Sequence, residues 1–272
     1  MSYESRFVEI ESSQNSTLKH AVRLVGSNAA LRQAGLAVAE GLHLAECLMR
    51  EVAIEVDSIW APKGLLNKPE WLALAATSPL FDDPDTHFYL LSDSLFNKLS
   101  TLKAPTGPIV FFRPRTPTIE LSLQHDVVYL DGIQDPGNVG TLLRNCAAAG
   151  IEQVACSAST AWVWSDKVLR AGMGAQFNLQ FFDERALLTA LSSAPNTPVR
   201  VTSLQPRSVN LFDAPLGPAG VWVFGSEGQG VGEQWLSRAT QHVRIPQSDW
   251  VESLNVGSSS AVCLFEQIRQ RR

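Results

Sequence analysis

Asn138 and Arg144 stand six residues apart in the stretch Asp135-Pro-Gly-Asn-Val-Gly-Thr-Leu-Leu-Arg144, downstream of the apolar run Val127-Val-Tyr-Leu130. On helical spacing Val139, Leu142, Leu143 and Cys146 share one face, and Arg144 points away from it. Free N–H groups at a helix start favour negative charge, so an Asn and an Arg there can hold a phosphate or a ribose hydroxyl. The plainer alternative is an Asn cap and a solvated Arg. A second stretch, Phe224-Gly-Ser-Glu227-Gly-Gln-Gly230, follows another apolar run. Gly225, Gly228, Gly230 and Gly232 supply backbone that bends sharply or approaches a ligand closely, unless this is only a strand-to-helix turn. A third, Ile245-Pro-Gln-Ser-Asp-Trp-Val-Glu-Ser253-Leu-Asn255-Val, leads into the small-residue run Gly257-Ser-Ser-Ser-Ala261. Ser253 or Asn255 could simply cap the helix that follows. Trp250 reads as a core aromatic rather than a lid.

All three stretches fall where an apolar strand ends. The carboxyl ends of parallel strands are where open α/β sheets build ligand sites, which points to one composite pocket. The elements that must position it alternate along the chain. Helices are predicted at Asn138–Ala149 (ended by Gly150), Lys167–Met173, Arg185–Leu191 and Val256–Gln270. Strands are predicted at Val127–Leu130, Gln153–Cys156, Leu179–Phe182, Val199–Ser203, Val221–Phe224 and Val243–Ile245. Such alternation implies a mostly parallel sheet with helices on both faces. The N-terminal part alternates as well. Helices are predicted at Asn15–Val25, Gly41–Met49, Pro69–Thr77 and Ser92–Leu99, and strands at Leu36–Ala39, Ala53–Trp60 and Phe88–Leu91. This reads as a smaller α/β domain. The segment Phe111-Phe-Arg-Pro-Arg-Thr-Pro-Thr118 has the composition of a semi-rigid connector, dividing the chain into 1–117 and 118–272.

Composition excludes several classes. With 272 residues, 45% hydrophobic and 18% charged, the chain can bury a sizeable core. No apolar run approaches the roughly 20 residues of a membrane span. The N-terminus lacks the basic-then-apolar order of a signal peptide, so a soluble cytoplasmic protein is expected. Cys47, Cys146, Cys156 and Cys263 form no Cys-x-x-Cys pair and read as buried core residues, and no Cys/His cluster has zinc-ligand spacing. Net charge is −5, with 11 basic and 13 acidic residues up to Pro117 and 11 and 14 after it. Any RNA must therefore be held by local patches rather than by an overall positive field. Lys19, Arg23, Arg32, Arg113 and Arg115 are the local candidates, each of which could equally be a solvated charge. An oxidoreductase reading is disfavoured: the Gly-rich turn is not Gly-x-Gly-x-x-Gly, because position 233 is Glu, and it lacks Gly-Lys-Ser/Thr.

Together the three stretches resemble the three motifs of the SpoU/TrmH family of RNA ribose 2′-O-methyltransferases. Asn138-x5-Arg144 resembles the first, Gly225-Ser-Glu227-Gly-x-Gly the second, and Ile245-Pro…Ser253-Leu-Asn255-Val the third. Lys167-Val-Leu-Arg-Ala-Gly-Met-Gly174 resembles a further family stretch. Ser13-x-Asn15-x3-Lys19 and Ala39-Glu40-Gly41-x2-Leu44 look like the family's small substrate-binding domain, so the resemblance spans nearly the whole chain. The chain departs from the family pattern at Gln247–Glu252, Gly172 and Gly257–Ser260.

The resemblance implies a catalytic domain with a deep trefoil knot, which is an exception to the rule of unknotted chains. It implies S-adenosylmethionine as cofactor, a homodimer and an RNA substrate, while the lack of Cys/His ligand spacing gives the expectation of no metal. Ribosomal RNA is implied by the N-terminal part, with transfer RNA the alternative and a non-catalytic RNA-binding protein a further one. Carried over by position, Asn138, Arg144, Glu227, Ser253 and Asn255 would be catalytic. Thr202, Ser203, Leu204, Gly225, Ile245, Gln247, Ser253 and Leu254 would line the cofactor site. Arg144 would orient the 2′-hydroxyl and the adjacent phosphate, and Glu227 would hold Arg144 or a neighbouring Asn.

Overall fold

The computed structural model describes residues 3–50, 54–205 and 207–272. It divides into two compact units, 1–115 with 164–177, and 116–163 with 178–272. The chain leaves the first unit close to the Pro/Arg-rich connector. The segment 164–177, which the sequence division assigned to the second part, packs with the first unit instead.

The first unit is built from β1 (Phe7–Ile10), α1 (Ser16–Val25), α2 (Asn28–Ala34), β2 (Ala37–Glu40), α3 (Leu42–Arg50), β3 (Val56–Pro62), α4 (Pro69–Thr77), β4 (His87–Leu91), α5 (Asp93–Leu99) and β5 (Ile109–Phe112). Local chemistry sets the helix starts. Asn15 accepts from the amides of Thr17 and Leu18 at the head of α1, Ser27 caps α2, and Ser92 caps α5. Pro69 opens α4, where its missing N–H costs nothing. The five strands run in the order β1-β4-β3-β5-β2. β1, β4 and β3 are parallel, whereas β5 pairs antiparallel with β3 and β2. β1 and α2 are not among the predicted elements, and Ala53 of the predicted strand Ala53–Trp60 lies outside the described residues.

The second unit opens with β6 (Val127–Asp131), α6 (Pro136–Ala148) and β7 (Gln153–Cys156). Next in the chain is α7 (Asp166–Gly172), the helix that belongs to the first unit. Then follow β8 (Gln180–Asp183), α8 (Glu184–Ser193), β9 (Val199–Thr202), β10 (Val209–Asn210), β11 (Val221–Gly225), α9 (Glu233–Arg238), β12 (Gln241–Arg244) and α10 (Val256–Arg271). All seven strands are parallel, in the order β10-β12-β9-β11-β6-β7-β8. Alternation along the strands divides the side chains between two faces. Val127, Tyr129, Val199, Val201, Val221 and Val223 pack with Leu187 and Leu191 of α8 and Trp235 of α9. On the opposite face Trp222 gives its indole N–H to Gln267 of α10. The sheet is therefore covered on both sides, as near-continuous Val-rich strands require.

Two of the four cysteines, Cys146 and Cys263, are buried as expected, while Cys47 and Cys156 are half-buried; all are free thiols. Among the described residues no helix is long and apolar enough to cross a membrane. Nor do they contain a group of three or more His, Cys, Asp or Glu that could hold a metal ion.

Candidate active site

The strand order brings β12, β9 and β11 side by side, so the chain leaves three neighbouring parallel strands at the same edge. A cavity of about 500 Å³ lies there, within the usual range of roughly 300–1,000 Å³ for small-molecule sites. Thr202, Ser203 and Leu204 line it from the end of β9. Gly225 and Glu227 line it from the end of β11. Ile245, Gln247, Ser253, Leu254 and Asn255 line it from the segment after β12.

Gly225 is where backbone must touch backbone. A Cβ there would lie 2.1 Å from the carbonyl carbon of Gly230, far inside contact distance. The loop folds back because Ser226 and Gly230 exchange two backbone hydrogen bonds, of 3.1 and 2.9 Å. Gly230 has φ +69°, a conformation that side-chain-bearing residues seldom adopt. The next turn is held by Asp131, which accepts from the amide of Gly232 at 2.7 Å. The glycines thus build a tight reversal and leave the cavity wall without a side chain at Gly225.

The first motif is assembled differently from the expectation. Asp135, not Asn138, caps α6, accepting from the Asn138 amide at 2.8 Å. The side chain of Asn138 is thereby released from capping. Its Nδ2 donates to Glu227, and its Oδ1 accepts from Asn255 Nδ2 at 2.9 Å. Asn255 in turn accepts at Oδ1 from the amides of Gly257 and Ser258, which makes it the N-cap of α10. Each amide group has one role at each end, so the series Glu227–Asn138–Asn255–α10 admits a single orientation of both asparagines. The expected cap and the expected site residue are the same side chain at Asn255.

Helix packing holds this series in place. Asn145, on the same face of α6 as Asn138, donates to the carbonyl of Gly257 at 2.8 Å and to the hydroxyl of Ser260 at 2.9 Å. A Cβ at Gly257 would meet Thr141 Cγ2 at 2.8 Å, so the small residue lets α6 and α10 approach. The adjoining face of α6 is anchored by Val139, Leu142, Leu143 and Cys146, all fully buried, each aliphatic among them worth about 1.5–3 kcal/mol of burial.

Arg144 does not join this group. At 3.6 residues per turn it lies roughly 120° around α6 from Asn138. It is exposed, and among the described residues its guanidinium meets no partner. Glu227 therefore holds Asn138 and not Arg144. Trp250 is also not where it was expected: it is 95% exposed rather than in the core. Of the basic candidates, Arg113 is paired with Glu55 at 2.6 Å, and Arg115 donates to the Phe177 carbonyl at 3.1 Å. Lys19, Arg23 and Arg32 stay exposed. Sequence reasoning missed Gln205, Arg244 and Glu252, which also line the cavity. Each is adjacent in sequence to a residue that was named, so adjacency was the available signal. It also missed Asn145, which helical periodicity from Asn138 would have found.

The profile of the SpoU rRNA Methylase family matches residues 126–265, just over half of the chain. The chain belongs to this family. Relatives cover it more fully. It is 29% identical over 98% of its length to 96% of an uncharacterized tRNA/rRNA methyltransferase from Synechocystis sp.. It is 27% identical to the 23S rRNA (guanosine-2′-O-)-methyltransferase RlmB of a Burkholderia species, across 87% of this chain and 97% of that one. Among solved structures, the crystal structure of an RNA 2′-O ribose methyltransferase superposes with a TM-score of 0.80 at 27% identity, covering 97% of this chain and 99% of that one. This SpoU family member carries the glycine turn, the paired asparagines and the Ser-Leu-Asn segment within the matched region.

Proposed function

We propose that this SpoU family member transfers a methyl group from S-adenosylmethionine to a ribose 2′-hydroxyl of ribosomal RNA. The observation that carries the reading is the Glu227–Asn138–Asn255 series beside a cavity at three parallel strand ends. The cavity fits the cofactor: it has room for a folded nucleoside sulfonium, and at Gly225 its wall is bare backbone. Thr202, Ser203, Leu204, Gly225, Ile245, Gln247, Ser253 and Leu254 would hold it. S-adenosylmethionine supplies an electrophilic methyl group on sulfur.

The chain's own residues then have distinct tasks. Gln247 donates to the carbonyls of Val251 and Glu252, at 3.3 and 3.1 Å, and shapes the segment that presents Ser253 and Leu254. Asn138 and Asn255 set the shape of the rim and orient the ribose. Arg144 brings a planar guanidinium with five N–H donors and no acceptor, so it serves as a clamp and not as the base. Its task is to grip the phosphate next to the reacting sugar and to stabilise negative charge growing on the 2′-oxygen. The proton leaves towards that phosphate.

A homodimer completes the reading. Arg144 points away from its own cavity, and Phe265 of α10 is 48% exposed, so a second copy is where the guanidinium finds its site. The C-terminal part, 118–272, would form a deep trefoil knot, and the N-terminal part, 1–117, would bind RNA. The enzyme would be cytoplasmic and use no metal. The test is methylation of ribosomal RNA transcripts with radiolabelled S-adenosylmethionine, followed by nuclease mapping. A 2′-O-methylated nucleotide in ribosomal RNA is expected. Label found only in transfer RNA would replace the substrate, and cofactor binding without any transfer would leave a non-catalytic RNA-binding protein.

A further inference from the structure

A second cavity, of about 230 Å³, opens in the first unit between α1 and the face of its sheet. It is smaller than most small-molecule sites, which run from roughly 300 Å³ upward. Its floor is made by residues directly opposite one another on β3 and β4, Ser58 against His87 and Trp60 against Tyr89, with Phe111 of β5 beside them. Trp60 is locked, because its indole N–H donates to the buried Ser58 hydroxyl at 3.0 Å and its ring lies 4.3 Å from that of Tyr89. The rings of Tyr89 and His87 are within 7° of parallel, with centroids 6.4 Å apart. That is close to the roughly 7 Å that a third ring needs between two others, at about 3.5 Å per contact. His87 is exposed and Tyr89 half-buried, so the stack is open to solvent at its edge.

One carboxylate reaches this aromatic floor. The register of β3 against β5 slips between Val56 and Ser58, leaving Asp57 as the extra residue of a bulge. Bulges re-aim side chains, and Asp57 lines the cavity together with Ser58. Among the described residues neither the Asp57 carboxylate nor the Tyr89 hydroxyl has a hydrogen-bond partner. Burial, and then the Asp57 charge, raises the Tyr89 phenol above its usual value, so it remains an O–H donor. The roof comes from α1 through Thr17, His20, Ala21 and Leu24. His20 meets Arg23 at 3.1 Å, and Lys19 is exposed on the same helix.

We propose that this cavity is a nucleobase subsite, taking one unpaired base of an RNA strand with guanine preferred. The proposal rests on RNA being the substrate. The base stacks on Tyr89 and His87, the way single-stranded RNA is read by aromatic side chains on sheet faces. Asp57 offers two acceptor oxygens to neighbouring N–H donors. Guanine presents two such donors side by side, on N1 and N2; adenine presents only its amino group on that edge. Lys19 and Arg23 lie where the flanking phosphates pass.

The test is fluorescence titration of the full-length protein with two short single-stranded RNAs, one an adenosine tract and one carrying a single central guanosine. The guanosine RNA is expected to bind at least about fivefold tighter. Asp57→Asn should erase that preference while leaving adenosine-tract binding within about twofold. Tyr89→Ala should weaken both, by about 5- to 150-fold for one lost stack, and Tyr89→Phe should restore most of the affinity. Should Tyr89→Ala fail to fold, His87→Ala, at an exposed position, takes its place. Equal affinities of wild type and these variants for both RNAs would overturn the subsite. Absence of RNA binding and of S-adenosylmethionine binding by the wild type would instead overturn the methyltransferase reading.

Discussion

The carboxylate of Glu227 accepts from the side-chain amide of Asn138, a residue 89 positions earlier in the chain. That bond leaves Asn138 only its oxygen to offer Asn255, and Asn255 only its oxygen to offer the first turn of α10. Three side chains from three separate segments therefore share one hydrogen-bond polarity.

The polarity separates stability from activity at Asn255. Asn255→Asp keeps the capping oxygen but has no N–H for Asn138. Its denaturant midpoint should stay near wild type while methyl transfer falls at least about tenfold. Asn255→Ala loses both and should also lose about 0.5–2 kcal/mol of stability. Chemical denaturation beside a transfer assay reads the two effects.

Gly225→Ala should remove cofactor binding. The added methyl would overlap the backbone of Gly230 and Val231, which no side-chain rotation can relieve. Overpacking of this kind costs about 1–3 kcal/mol. Calorimetry should show S-adenosylmethionine affinity reduced at least about tenfold, and an affinity equal to wild type would exclude Gly225 as part of the cofactor wall.

Arg144→Ala should leave melting and cofactor affinity unchanged, because the guanidinium is exposed and partnerless among the described residues. Transfer should fall by about 10²–10³, the usual cost of removing one group that stabilises developing negative charge. Mixing Arg144→Ala with Gly225→Ala subunits should restore part of the activity if the arginine serves the partner's cavity. Mixed subunits no more active than either parent would place the arginine and the cofactor in the same chain.

Alkaline pH should destabilise the fold through its buried thiols. Burial raises Cys146 and Cys263 above the ordinary thiol value, which is about 8.5. Their folded pKa values are the higher ones, so this contribution is complete below about pH 8.5 and declines as pH rises towards the folded values. The denaturant midpoint should fall between pH 8 and about pH 11, by less in a Cys146→Ala, Cys263→Ala variant. Neither thiol should react with an aromatic disulfide reagent at pH 8 until the protein unfolds.

Much of this structure was legible in the sequence. Pro69–Thr77 and Gln153–Cys156 have the predicted bounds because a proline at the first turn and a short bounded apolar run are local signals. All eight residues expected at the cofactor site line the cavity, since Thr202, Ser203, Leu204, Gly225 and Ile245 stand at or just past strand ends and Gln247, Ser253 and Leu254 lie on the segment that follows β12. What was misread depends on tertiary context. The alternative reading of Asn138 as a plain cap gave way because Asp135, three residues earlier, took that role. The first strand, Phe-Val-Glu-Ile, is too short to show a period, and α2 and α9 have only seven and six residues. The exposure of Trp250 has no local signature, because an indole in a polar loop reads alike inside and out. That 164–177 packs with the earlier unit follows from contacts far apart in sequence, which periodicity does not encode.

The final helix is fastened at its head by the same asparagine that finishes the pocket rim. Unwinding of its first turn and loosening of the rim are then one event, not two. Anything that settles into the cleft should quieten the carboxyl tail, visible as slower amide exchange along it, and shaving residues from that tail should weaken grip on a small molecule more than a dozen residues away.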